Sequence, residues 1–125
     1  MLNDLFDTVS TFFGRVTKAV AGERSKYYGH PVDNHSRTAR FWSDYLDTHV
    51  SPEDVCWLNI LQKVSREMHS PSDDNIIDVA GYAANIHAIR ERYRAETVDI
   101  FDRLDVPHAP SCECEAHNIT VTFDE

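Results

Sequence analysis

The stretch Asp73-Asp74-Asn75-Ile76-Ile77-Asp78-Val79-Ala80-Gly81-Tyr82-Ala83-Ala84-Asn85 decides how this chain is read. Its aliphatic residues and paired N-terminal carboxylates predict the opening of a long helix. Asp74 and Asp78 stand one turn apart, and Asn75 lies three residues before Asp78, so their polar oxygens share a face. Capping by Ser72 or Asp73 accounts for Asp73 and Asp74. It does not account for Asp78, which lies past the first turn between Ile77 and Val79, where Asp is a mediocre helix former. A metal ion or a phosphate-bearing ligand is the functional reading of this group. Gly81 costs about 1 kcal/mol against alanine in a helix, and close helix packing is its ordinary reason. Tyr82 beside it either fills core or stacks on a base.

Upstream, Ser51-Pro52-Glu53-Asp54 combines a serine cap, proline at the first helical position and two carboxylates on the dipole. The helix so started is expected to reach Met68. Val55, Leu58, Leu61, Val64 and Met68 lie along one side, and Cys56, Trp57 and Ile60 widen it, which predicts burial over much of its circumference. The turn at residues 69–72 is short, so the two helices should run antiparallel. That brings Lys63, Arg66 and Glu67 near Asp74, Asn75 and Asp78. Such a cluster either locks the helices in register as an ion-pair network or forms a polar pocket. In the pocket reading the cations bind phosphate and the carboxylates of Asp74, Asp78 and Glu67 hold Mg²⁺.

The long helix is expected to run to about Leu104, with Ala95 a point of possible interruption. Residues 1–22 carry Leu2, Leu5, Phe6, Val9, Phe12, Phe13, Val16 and Val20 at three- and four-residue steps. This is an amphipathic helix, serving as a packing helix or, through its Phe pair, as a self-association surface. Residues 23–33 read as a connector punctuated by Gly29 and Pro31. Asn34 is expected to cap a helix to Leu46 that turns Ala39, Trp42, Tyr45 and Leu46 inward. Asn118 to Asp124 alternates as one short strand or an extended tail. The expected architecture is all-α, a bundle of four or five helices. It divides into an amphipathic helix over residues 1–22, a core over 23–106 and a tail over 107–125.

Bulk composition narrows the function classes. A net charge of -9 argues against a binder of DNA or RNA polymers, which needs a basic face. No run is apolar enough to span a membrane, and no signal peptide is visible. Three cysteines provide no disulfide framework, in keeping with a cytoplasmic setting. His108, Cys112, Cys114 and His117 fall within ten residues of one another. Cys-x-Cys is tighter than the usual spacing of structural Zn²⁺ sites, so zinc there is not the favoured reading.

Four blocks carry a resemblance: Tyr28-Gly29, Asn34 to Leu46, Asp54-Val55 with Lys63 to Arg66, and Asp74-Asn75-Ile76-Ile77-Asp78-Val79-Ala80-Gly81-Tyr82-Ala83. Over residues 24–86 the chain resembles a family of small phage-encoded proteins of unknown function. That family is remotely similar to the MazG-like all-α nucleoside triphosphate pyrophosphatases, which hold Mg²⁺ through Glu-x-x-Glu on one helix and Glu-x-x-Asp on another. Asn75-x-x-Asp78 matches the second motif with Asn in place of Glu. Lys63-x-x-Arg66, followed by Glu67, stands where the first motif is expected. The resemblance implies a nucleotide ligand and a homo-oligomer. In it Asp74 and Asp78, with Glu67, hold Mg²⁺, Lys63 and Arg66 stabilise phosphate charge, and Asn75 and Tyr82 contact the ligand. It implies either hydrolysis of a triphosphate or, given the missing carboxylates, capture without turnover. The alternative from another class is a structural or host-interaction protein.

Overall fold

The computed structural model describes residues 2–103, and among them the only regular elements are α-helices joined by short turns. The helices are α1 (Leu2–Ala21), α2 (Glu23–Tyr28), α3 (Pro31–Leu46), α4 (Pro52–His69) and α5 (Asp73–Arg103). The expected all-α class holds. The Cys/His segment and the alternating residues 118–124 lie outside the described residues. Two compact units divide after Arg94. In the second, α5 continues to Arg103, with Asp99 and Arg103 paired one turn apart.

Helix starts follow local chemistry. Ser51 and Asp54 form a complete capping box, Ser51 Oγ accepting from the Asp54 amide and the Asp54 carboxylate accepting from the Ser51 amide. The bond from Ser51 holds the Asp54 carboxyl below its ordinary pKa. At α3 the expectation fails in detail. The cap is His30, whose Nδ1 accepts from the Val32 amide at 3.2 Å, with Pro31 opening the helix. Asn34 is thereby freed from capping. The supposed connector also holds a helix, α2, closed by Gly29 at a φ of 75°, where glycine avoids the Cβ penalty. α5 is continuous through Ala95.

The α3–α4 corner is tied by one hydroxyl. Ser43 Oγ donates to the carbonyl of Ala39 at 2.7 Å and accepts from the amide of buried Val50 at 2.9 Å. Around it Ala39, Val50 and Val55 form one buried cluster with Trp42 against it. A second cluster joins Val32, Cys56, Ile86 and Ile89, with Ile60 and Tyr82 packed on its edge. Burial pushes the Cys56 thiol up to about 12, so it behaves as a small apolar core residue.

α4 and α5 are antiparallel, as the short turn requires. Glu53 meets Arg90, Lys63 meets Asp78, and Glu67 meets Asn75, so the numbers descend on one helix as they climb on the other. α1 runs in the same sense as α5. Arg15 contacts Asp73, and Val20 lies where a Cβ on Gly81 would approach to 3.3 Å. Gly81 is therefore the place where α1 and α5 come close. Two burial expectations are corrected. Trp57, Leu58, Leu61, Val64 and Met68 of α4 are exposed, as are Tyr45 and Leu46 of α3. The core needs only the Val55, Cys56 and Ile60 side of α4, because α3 and α5 both dock there.

Candidate functional site

The α4–α5 register brings part of the predicted cluster together. Lys63 Nζ lies 2.5 Å from Asp78 Oδ2, and the lysine side chain is only 14% exposed. One turn further along, Glu67 Oε2 accepts from Asn75 Nδ2 at 2.9 Å and from the Ser72 amide at 3.0 Å. These bonds, Asn75 first, hold the Glu67 carboxyl below its ordinary range. Asp74 is not part of the group. It is highly exposed, with Asp73 beside it, and both turn to Arg15 of α1.

Glu67, Asp74 and Asp78 therefore do not converge. Among the described residues no three His, Cys, Asp or Glu side chains are grouped to hold a metal ion. The donors expected for Mg²⁺ are spread over three separate partners: Asn75, Arg15 and Lys63. The residues do not form a ready-made Mg²⁺ centre. The physical reason is that Lys63 holds Asp78, Arg15 draws Asp73 and Asp74 toward α1, and the Asn75 amide with the Ser72 N–H holds Glu67.

The space that does form lies on the other side of Asp78. A cleft of about 220 Å³ opens between α5 and the α2–α3 corner. Asp78, Tyr82 and Asn85 line it from successive turns of α5, facing Asn34 and His35 of α3 and Tyr28 of α2. Ala19 and Val20 of α1, with Gly81, make an apolar side. A larger residue at position 81 would meet Val20 and intrude on this space. Burial raises the Tyr82 hydroxyl above its ordinary pKa; the Asp78 charge adds to the rise and Arg66 opposes it. Arg66 thus acts on the cleft from the rim of α4, itself exposed.

At the inner end, His35 is 7% exposed, and its Nε2 lies 3.2 Å from Asn85 Nδ2. Its ring stands 6.1 Å from that of Tyr82 at a tilt of 56°. Desolvation lowers the His35 pKa and favours the neutral imidazole. The other end of the Asn85 amide, Oδ1, is buried and makes no hydrogen bond among the described residues. Turning the amide over would not cure this, because His35 Nε2 can serve only one end of it. A buried amide left half-satisfied costs roughly 1–3 kcal/mol.

Of the residues the sequence points to, Asp78 and Tyr82 line the cleft, Lys63 holds Asp78 from behind, and Arg66 acts at a distance. Asn75 and Glu67 lie on the far side, where they line a second groove together with Lys63. His35, Asn34, Tyr28 and Asn85 were missed. A signal existed for Asn85: it lies seven residues beyond Asp78 and three beyond Tyr82, on the same helical face.

A small all-α domain with a cleft of mixed polar and apolar lining at the α2–α3–α5 junction is a class of protein, and comparison with known sequences narrows it. Residues 11–90 match the family model described as "Domain of unknown function (DUF6378)", and the chain belongs to this family. It is 39% identical over 75 residues to the "Gene 55 protein" of Mycobacterium phage D29, covering 59% of this chain and 50% of that protein. It is 34% identical over 94 residues to the "Gene 55 protein" of Mycobacterium phage L5, covering 70% of this chain and 60% of that protein. The chain thus spans about half to three-fifths of these curated relatives. No solved structure matches it. Among the described residues no helix is long and apolar enough to cross a membrane.

Proposed function

We propose that this phage-family protein binds a nucleotide in the cytoplasm of the host, with the base in the α2–α3–α5 cleft, and captures it without turnover. The observation that carries this reading is the orphaned Asn85 amide, buried beside His35 in a cleft edged by aromatic rings. A nucleobase edge carries both N–H donors and ring acceptors, and so matches an amide in either orientation. Tyr82, Tyr28 and His35 offer ring faces, and base–aromatic stacking is worth about 1–3 kcal/mol per base. A cleft of about 220 Å³ lies below the roughly 300–1,000 Å³ of drug-sized ligand sites. It suits a base, leaving the sugar and phosphates outside the cleft and away from the Asp78 carboxylate. Arg66 is the phosphate-facing cation in this reading, since Lys63 is held by Asp78 and borders the groove on the far side.

Capture is favoured over hydrolysis because the carboxylates are held apart by different partners, Asp78 by Lys63, Glu67 by the Asn75 amide and Asp74 beside Arg15. A MazG-like pyrophosphohydrolase would need Asp78 to leave Lys63 and join Asp74 and Glu67. The test is a thermal-shift panel of nucleosides and their mono-, di- and triphosphates, each with and without Mg²⁺, run beside a pyrophosphate-release assay. A ligand at a hundred times Kd should raise Tm on the order of 10 °C. Asn85→Leu should abolish that shift. Silence across the panel would end the nucleotide reading; pyrophosphate release lost in Asp78→Asn would replace capture with catalysis.

A further inference from the structure

The exposed side of α4 carries Trp57, Leu61, Val64 and Met68 at steps of four, three and four residues. That is the spacing of a coiled-coil seam. It extends over about 16 Å of helix. The one carboxylate from position 57 to 68 is the half-buried Glu67, turned to Asn75 of α5, although the whole chain has a net charge of -9. With Leu58 and Ile76 of α5 the seam leaves on the order of 700 Å² of apolar surface in water, above what a monomer ordinarily shows as its largest patch and near one partner's share of a standard interface. Beside the seam, between α4 and the start of α5, lies a groove of about 210 Å³ whose apolar walls are Val64, Met68, Ile76 and Val79.

We infer that the occupant of this face is a second copy of the chain, docked antiparallel along α4, with each Trp57 seated in the other's groove. Three observations select a second copy over a foreign helix. First, the seam is palindromic: a two-fold axis between positions 62 and 63 sets Trp57 against Met68 and Leu61 against Val64, so every apolar position finds an apolar one. Second, the seam itself is uncharged and Lys63 and Glu67 are turned to Asp78 and Asn75 of α5, so two negatively charged chains meet there without like charges in contact. Third, the knob and its hole are on the same surface, as an isologous interface requires. Trp57, 48% exposed, lands at the level of Met68, beside the groove. A space of about 150 Å³ takes a benzene ring, so this groove has room for an indole.

Sedimentation velocity of the full chain from about 1 to 100 µM tests the assignment. A monomer–dimer equilibrium is expected. Leu61→Glu, at a position 62% exposed and so dispensable to the fold, should weaken dimerisation at least thirtyfold, roughly what an interface hot spot is worth. Its circular dichroism should match the parent. Leu5→Glu on the exposed stripe of α1 should leave the dimer intact. Adding Val64→Lys to Leu61→Glu should restore it, because each glutamate then faces the lysine of the other copy. A parent chain that stays monomeric throughout the range overturns the inference, whatever else covers the face. A dimer surviving Leu61→Glu but lost in Leu5→Glu places the interface on α1 and overturns it equally. Failure of the paired charges to rescue overturns the antiparallel register.

Discussion

The two hollows beside α5 are nearly equal in size and opposite in chemistry. The cleft toward α2 and α3 holds about 220 Å³ and is edged by Asp78, Tyr82, Asn85, Asn34 and His35. The groove toward α4 holds about 210 Å³ and is walled by Val64, Met68, Ile76 and Val79. Both draw on the same 31-residue helix. Residues 78, 82 and 85 fall on one face of it and 76 and 79 on another, with Ile77 and Gly81 adding apolar surface to the cleft and Asn75 a polar edge to the groove. The Lys63–Asp78 pair lies between them: the carboxylate borders the cleft, and the lysine borders the groove. A polar hollow with an unmet hydrogen bond suits a small ligand; an apolar one next to a heptad seam suits a side chain.

Removing that partition should have the largest effect. Asp78→Ala strands a lysine that is 14% exposed. A cost of about 2–4 kcal/mol is expected in urea unfolding, below that of a fully buried pair because Asp78 is itself partly solvated. Replacing both partners, as Lys63→Met with Asp78→Leu, should recover most of it. Tyr82→Ala comes next. It removes a ring packed on the Cys56–Ile89 cluster as well as a wall of the cleft. It should cost about 2 kcal/mol, and more than the same truncation at exposed Met68, which should stay within about 0.5 kcal/mol.

A smaller effect separates the hollows by pH. His35 has a folded pKa below its unfolded value of about 6.5. The unfolded chain therefore binds the proton more readily. The His35 contribution to stability is fully present above about pH 6.5 and is lost as pH falls from there through the folded pKa. The slope from this one group cannot exceed about 1.4 kcal/mol per pH unit. Thermal melts from pH 7.5 to 5.5 should show it, and His35→Gln should flatten it. The smallest expected change in stability is at Asn85→Leu. Exchanging the amide removes its unmet Oδ1 but also takes the partner from buried His35 Nε2, so the two effects offset and Tm should change little. If that substitution were strongly destabilising, the amide would be a structural strut and the contrast with the groove would collapse.

The sequence made the α4–α5 hairpin legible because its signals are local. Ser51-Pro52 starts one helix, residues 69–72 are too short for anything but a reversal, and the Lys63–Asp78 pairing follows from register. The cleft was less legible because it is assembled from distant segments. His35 and Asn85 are 50 residues apart, and nothing in helical periodicity links them. Asn34 was read as a cap, a role that His30 fills instead. The bare face of α4 was misread for a related reason. Apolar spacing marks which residues seek cover and does not say whether the cover comes from within the chain.

The shared Lys63–Asp78 wall also bears on how this protein can diverge among phages. Asn85 lines only the cleft and Met68 only the groove, so a change at either alters one property and spares the other. Positions 63 and 78 have no such freedom, since any exchange there reshapes both chambers at once. Variation at that pair should therefore come as simultaneous replacement of the two residues, while the rims drift independently.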